Sequence, residues 1–279
     1  MSKFSSITIG LIAVATSGTI ASPFATSVLS YDQGSNAADG FTLASTALGS
    51  AERFTGESVF GGAFASAISP FNPAFGPDEL VSVGSGGHLS LGFDRLITND
   101  ASHAYGVDLI VFSNAGFSDA TYTDDDLEND GTGFTGANPF IFGAGGAATI
   151  QVSQDGFNWF TAAVTQLNLF PTLGYSDLTE TTSSTPGSVE TDFTQALDPT
   201  LSASDMVDMS LADLIQFYDG SGGGIGIDIA STGLSSASYV RFLNESGEAF
   251  EVDAVAVVPA PGTLFAFGLV GVGAIRRRR

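Results

Sequence analysis

Short apolar runs, some alternating and some continuous, fill the middle of the chain and predict strands rather than helices. In His88-Leu-Ser-Leu-Gly-Phe93, Leu89, Leu91 and Phe93 fall on one face, with His88 opposite. Ala148-Thr-Ile-Gln-Val-Ser153 alternates in the same way. Gln154-Asp155-Gly156 then gives a hairpin signal leading into Phe157-Asn-Trp-Phe-Thr161. Val107-Asp-Leu-Ile-Val-Phe112 is nearly all apolar, the pattern of a strand covered on both faces. Ser238 to Leu243 and Ala249 to Val255 predict a closing pair joined through Asn244-Glu-Ser-Gly247, with Phe250, Val252 and Ala254 facing inward. One segment has a helical period. Val207, Leu211, Leu214, Ile215 and Tyr218 share a face, Ser210 and Asp213 form a capping box, and the run Gly220 to Gly226 ends it as a flexible connection.

Ser176 to Pro199, rich in Thr, Ser and acids, predicts a long loop inside the domain. The residues from 22 to about 40 predict a loose lead-in. Many short strands with one short helix predict an all-β fold, a single jelly-roll-like β-sandwich over residues 22–258.

The two ends differ from the body. Lys3 precedes a short apolar stretch from Ile7 to Ala15, followed by small residues up to Ala21, so residues 1–21 predict a signal peptide cut after Ala21. At the other end, residues 259–279 hold Pro259-Ala-Pro-Gly262, then the apolar run Leu264 to Ile275, then Arg276, Arg277, Arg278 and Arg279. Twelve residues of helix reach about 18 Å, short of a hydrocarbon core of roughly 30 Å, so this is a marginal membrane span. The arginines would hold its end on the cytoplasmic side and leave the body outside.

Composition sharpens this. The 279 residues are 43% apolar but only 14% charged, with no cysteine and two histidines. Disulfides, thiolate zinc sites and thiol catalysis are excluded. Between the ends there are three basic residues, Arg53, Arg95 and Arg241, against 30 acidic ones. Such a surface repels nucleic acid and anionic headgroups and favours cations.

The three-part tail resembles the PEP-CTERM sorting signal of bacteria, a proline motif followed by a short membrane helix and an arginine-rich end. Pro259 and Pro261 match its two prolines. Ala260 stands where the usual Glu would be, the Pro-Ala-Pro-Gly variant. The resemblance implies export through the Sec translocon and processing near the prolines by an exosortase, a membrane-embedded, transpeptidase-like enzyme. The runs Gly92 to Asp100, Val107 to Asn114, Val152 to Gly156 and Ile227 to Arg241 are similar to uncharacterised secreted bacterial surface proteins, in which the Ser113 position usually carries Glu. That family brings no established activity. Ser153, Asp155, Gly156 and Trp159 form a Ser-x-Asp-Gly-x-x-Trp pattern similar to hairpins of galactose-binding-like sandwiches.

The densest acidic run is Asp124 to Gly131, in which Asp124, Asp126, Glu128 and Asp130 alternate. Ca²⁺ takes six to eight oxygens, so these four are candidate ligands, and a solvated acidic loop is the alternative. Ala137, at position twelve from Asp126, departs from the EF-hand pattern. Asp228 and Asp253 are second-rank candidates that would equally serve strand edges and loops. No Gly-x-Ser-x-Gly elbow occurs, and His88 and His103 are the only imidazole bases. Trp159, Tyr105, Tyr122 and Tyr175 are candidates for stacking on sugar rings or for the core.

The expected function is therefore an exported, exosortase-sorted cell-surface or matrix protein with a non-catalytic, structural or adhesive role. It would need no cofactor beyond a possible Ca²⁺ and could have extracellular polysaccharide as a partner. A Ca²⁺-dependent carbohydrate-binding module and a secreted carboxylate-dependent hydrolase are the alternatives.

Overall fold

The computed structural model describes residues 21–56, 65–121, 131–143, 145–167, 169–245 and 247–260. Almost all of the expected signal peptide lies outside them. So do Asp124, Asp126, Glu128 and Asp130, and the tail from Pro261 through Gly262 and the 264–275 segment to Arg276–Arg279. No helix among the described residues is long and apolar enough to cross a membrane.

The protein is mostly β, with antiparallel sheets. The strands are β1 (Ser27–Asp32), β2 (Phe54–Thr55), β3 (Ser66–Ala67), β4 (Val81–Val83), β5 (His88–Thr98), β6 (Leu109–Phe112) and β7 (Gly116–Phe117). They continue as β8 (Ile141–Phe142), β9 (Ala147–Ser153), β10 (Phe160–Gln166), β11 (Ile225–Ile227), β12 (Ser236–Leu243), β13 (Phe250–Val252) and β14 (Ala254–Val257). One helix, α1 (Leu211–Tyr218), lies before β11. The largest sheet runs β1-β5-β12-β9-β10 and a second runs β11-β6-β14.

The core follows from alternation. Leu89 and Leu91 of β5, Val240 and Phe242 of β12, and Ile150 and Val152 of β9 point inward. They share one cluster with Leu109, Val111, Val255, Val257, Ile225 and Ile227 of the three-stranded sheet. The opposite face of that sheet is covered as well. Ile110, Phe112, Ala254 and Ala256 pack with Phe193 and Ala51 in a second cluster. This double burial is why β6 reads as an unbroken apolar run.

Helix α1 begins where the capping box places it. Ser210 accepts from the Asp213 amide at 3.2 Å, and Asp213 accepts from Ser210 N at 3.0 Å. Leu211, Leu214 and Tyr218 are buried, whereas Val207 lies before the helix and is partly exposed.

Three expectations are corrected. The closing pair does not form. β12 is occupied by β5 on one side and β9 on the other, while β13 pairs with β4 and β14 with β6. Every residue from Phe250 to Val257 is buried, so Phe250, Val252 and Ala254 do not define a single inward face. The lead-in is not loose. Val257 N donates to Pro23 O at 2.7 Å, Phe24 bridges to Ala256, and β1 forms an edge of the large sheet. Finally, the glycine run is a packing device. Gly223 has a positive φ of 81°, and a Cβ there would meet Pro171 O at 2.3 Å. Close approach, rather than flexibility, requires glycine.

The long stretch Ser176 to Pro199 is loop, as expected, and is tied down. Asp177 accepts from the amides of Ser188 and Val189 at 2.8 and 3.1 Å. Arg53 stacks 3.9 Å from the Phe193 ring centroid and donates to Thr191 O at 2.8 Å.

Candidate functional site

With one face of the large sheet in the core, alternation turns the intervening side chains to its other face. The register aligns Ser30 of β1, Ser90 of β5, Arg241 of β12, Gln151 of β9 and Thr161 of β10 in one row across all five strands. Arg241 Nε and Nη2 both donate to Gln151 Oε1, at 3.1 and 2.6 Å. The guanidinium carbon lies 4.3 Å from the centroid of the Trp159 ring, a cation–π contact. Partial burial lowers the Arg241 pKa from its ordinary value, yet an arginine keeps its charge.

Trp159 is presented by the β9–β10 hairpin, whose loop is built by its own side chains. Ser153 Oγ accepts from Gly156 N at 2.9 Å. Asp155 Oδ1 accepts from the amides of Phe157 and Asn158 at 2.9 and 2.8 Å, and Oδ2 accepts from Asn158 Nδ2 at 2.7 Å. The Asn158 and Phe157 amides hold the Asp155 carboxyl well below the usual carboxylate range. Gly156, at φ 76°, takes the left-handed turn. The Ser-x-Asp-Gly-x-x-Trp pattern is thus a self-contained loop that carries an aromatic platform.

Between loop and sheet lies a cleft of about 450 Å³, lined by Ser90, Asp155, Phe157, Trp159, Tyr239 and Arg241, among others. Phe157 at its rim is 87% exposed. Ser90 at its base is 1% exposed, and its hydroxyl has no hydrogen-bond partner. Exposed aromatic surface beside unspent donors and acceptors suits a ligand that is both apolar-faced and hydroxyl-rich.

The other candidates lie elsewhere. His88 is half-buried, with Nε2 3.1 Å from Ser30 Oγ, on the face opposite Leu89 as expected. The cross-strand neighbour Asp32 accepts from Gly34 N, and no hydrogen bond from His88 to a carboxylate is formed among the described residues. His103 lies in the turn from Asp100 to Tyr105 and points inward. It is 4% exposed, with Nδ1 2.8 Å from Asp108 Oδ1. Asp108 also accepts from the amides of Asp100 and Ile229, which makes the pair a loop clamp.

Asp228 accepts from Ala230 N at 2.7 Å and orders a turn. Asp253 is buried and takes the Glu52 amide on both carboxyl oxygens, at 3.3 and 3.2 Å. Burial, with the Glu52 and Glu79 charges, pushes Asp253 well above the usual carboxylate range. Burial also raises Glu251, against the opposing hydrogen bond from Asn114. Neither acid lines the Trp159 cleft. No group of three or more metal-binding side chains is placed together among the described residues.

Tyr122 lies outside the described residues; of the other candidates, Tyr175 is buried beneath Arg53 and Tyr105 is exposed on a separate turn, so Trp159 is the one that meets a polar row. The pattern of the hairpin pointed to Trp159. Ser90, Tyr239 and Gln151 carried no signal of their own, because only strand register brings them beside it. No family model and no curated protein matches the chain.

Proposed function

We propose that the chain is an exported bacterial surface or matrix protein with a non-catalytic, adhesive role. Its jelly-roll-like, galactose-binding-like sandwich holds extracellular polysaccharide in the Trp159 cleft. The observation that carries this reading is the Trp159–Arg241 stack at 4.3 Å, set at the mouth of a cleft on an outer sheet face. An indole offers a flat apolar face for the C–H side of a sugar ring, and the row beside it offers hydroxyl, amide and guanidinium groups for the ring hydroxyls.

Export is supported by the pattern of the two ends. The Sec translocon would take the chain by its signal peptide. The 264–275 helix would pause in the membrane against Arg276–Arg279, and an exosortase would process Pro259-Ala260-Pro261-Gly262. The body emerges from this reading free of the membrane, with its cleft turned to the surroundings.

The experiment is retention on immobilised bacterial polysaccharides, comparing the wild-type chain with Trp159→Ala. Loss of the platform should weaken binding about tenfold or more while the thermal transition persists. Equal retention of both chains on every polysaccharide that binds would overturn the cleft as the site. Absence of retention altogether would overturn the adhesive reading.

A further inference from the structure

The body's three arginines differ in what accompanies them. Arg53 pairs with Glu190 at 3.5 Å, and Arg95 reaches the carbonyl of Ala21, a residue that the proposed cleavage would remove, at 3.3 Å. Among the described residues Arg241 has neither an acid nor a backbone carbonyl as partner. Its described partners are the neutral Gln151 Oε1 and the Trp159 ring, and no carboxylate lies within ion-pair distance among the described residues. Among the described residues this guanidinium is held in place without a carboxylate partner, in a body that holds 30 acids. Gln151 engages Nε and Nη2 and sets the plane, which leaves Nη1 without a hydrogen bond among the described residues.

Ser90 stands next to Arg241 in the same cross-strand row. Its hydroxyl is buried, unpartnered and at the base of the cleft. A buried hydroxyl without a partner carries a desolvation cost that a ligand oxygen would relieve. The one carboxylate on the cleft wall, Asp155, is engaged by its own loop. A neutral sugar would need only the stack and scattered hydroxyl contacts. A pre-oriented guanidinium and a hydroxyl on adjacent strands of one row, both lining the cleft, offer more, because both are donors that suit a carboxylate.

We propose that the cleft takes a carboxylate-bearing saccharide of the uronic acid class, its ring against the aromatic wall and its carboxylate on Arg241 and Ser90 Oγ. This rests on the saccharide reading and narrows it. The negative body repels a polyanion at long range. Physiological salt screens that repulsion, and it screens the partly buried contact less.

Trp159 is the single tryptophan of the chain, so intrinsic fluorescence reads the cleft directly. The full chain is titrated with oligogalacturonate, oligoglucuronate and oligomannuronate, each beside its methyl ester, and with neutral cello- and manno-oligosaccharides. At least one acid should bind about tenfold more tightly than its ester. Arg241→Gln should erase the preference for acid over ester, and Ser90→Ala should weaken acid binding several-fold without lowering the melting temperature. Should Arg241→Gln fail to fold, the comparison of acid with ester on the wild-type chain decides alone. Equal binding of acids and esters, or binding of neutral sugars only, overturns the carboxylate assignment and leaves the saccharide reading standing. No fluorescence response to any of these sugars overturns both.

Discussion

At Asp253 both carboxyl oxygens face the single Glu52 amide while the side chain is sealed from water. Burial and two neighbouring acids raise its pKa well above 3.8. Folding therefore shifts this group towards its neutral form. Its contribution to stability is complete below the ordinary carboxylate value and is lost as pH rises through the raised folded value. Asp253→Asn keeps an acceptor for the amide and removes the charge. It should melt at a higher temperature than the wild type at neutral pH, with the gap closing towards about pH 4. Thermal unfolding across that range checks this, and parallel melting curves for the two chains would contradict it. Asp155 has the opposite balance, because the Asn158 and Phe157 amides favour its ionised form. Sequence made that carboxylate legible, since a Ser-x-Asp-Gly spacing within six residues satisfies itself locally. It singled out Asp253 only as a second-rank candidate and gave no hint of its burial, because that environment is assembled with Glu52 and Glu79, far along the chain.

Alternation along a strand tells which side chains share a face; it says nothing of which strand lies alongside. Thus the inward residues of β5, β9 and β12 could be read directly, whereas the partner of β12 could not. A closing hairpin with the 249–255 segment is the local choice, and the fold makes two distant ones. The cleft suffers the same blindness, because Ser90 and Arg241 are 151 positions apart in sequence and adjacent in register. Glycine runs are ambiguous for a related reason, since composition does not separate looseness from close contact. The connection after α1 tests this distinction. Gly223→Ala should destabilise the protein by about 2 kcal/mol or more, from strain at positive φ plus the collision with Pro171 O. Gly86→Ala is the control, at φ 77° with nothing within 4 Å, and should cost only about 1–2 kcal/mol. Denaturant melts of the two variants decide it, and equal losses would return the glycine run to a passive linker.

Over the whole molecule, the charges of the body are strongly unbalanced, with three arginines against 30 acids. Self-repulsion of that kind opposes compaction and weakens as salt screens it. Moderate sodium chloride should therefore raise the melting temperature, and a lower melting temperature in salt would show that local ion pairs outweigh the net repulsion. The proposed processing also belongs to this scale. Intact-mass analysis of protein recovered from its native cells should give a chain starting at Ser22 and ending near Pro259–Gly262. Recovery of the unshortened chain would remove the export reading.

The seam between residues 23–25 and β14 constrains the order of events. β6 lies at the centre of its sheet, flanked by β11 and β14, and Pro23 and Phe24 add to the far side of β14. A chain that appears amino end first, from a ribosome or through a membrane pore, cannot close the pairing of Pro23 and Phe24 until positions 256 and 257 have emerged. This edge of the three-stranded sheet can then lock only after β14 has appeared, although β1 has its β5 partner much earlier.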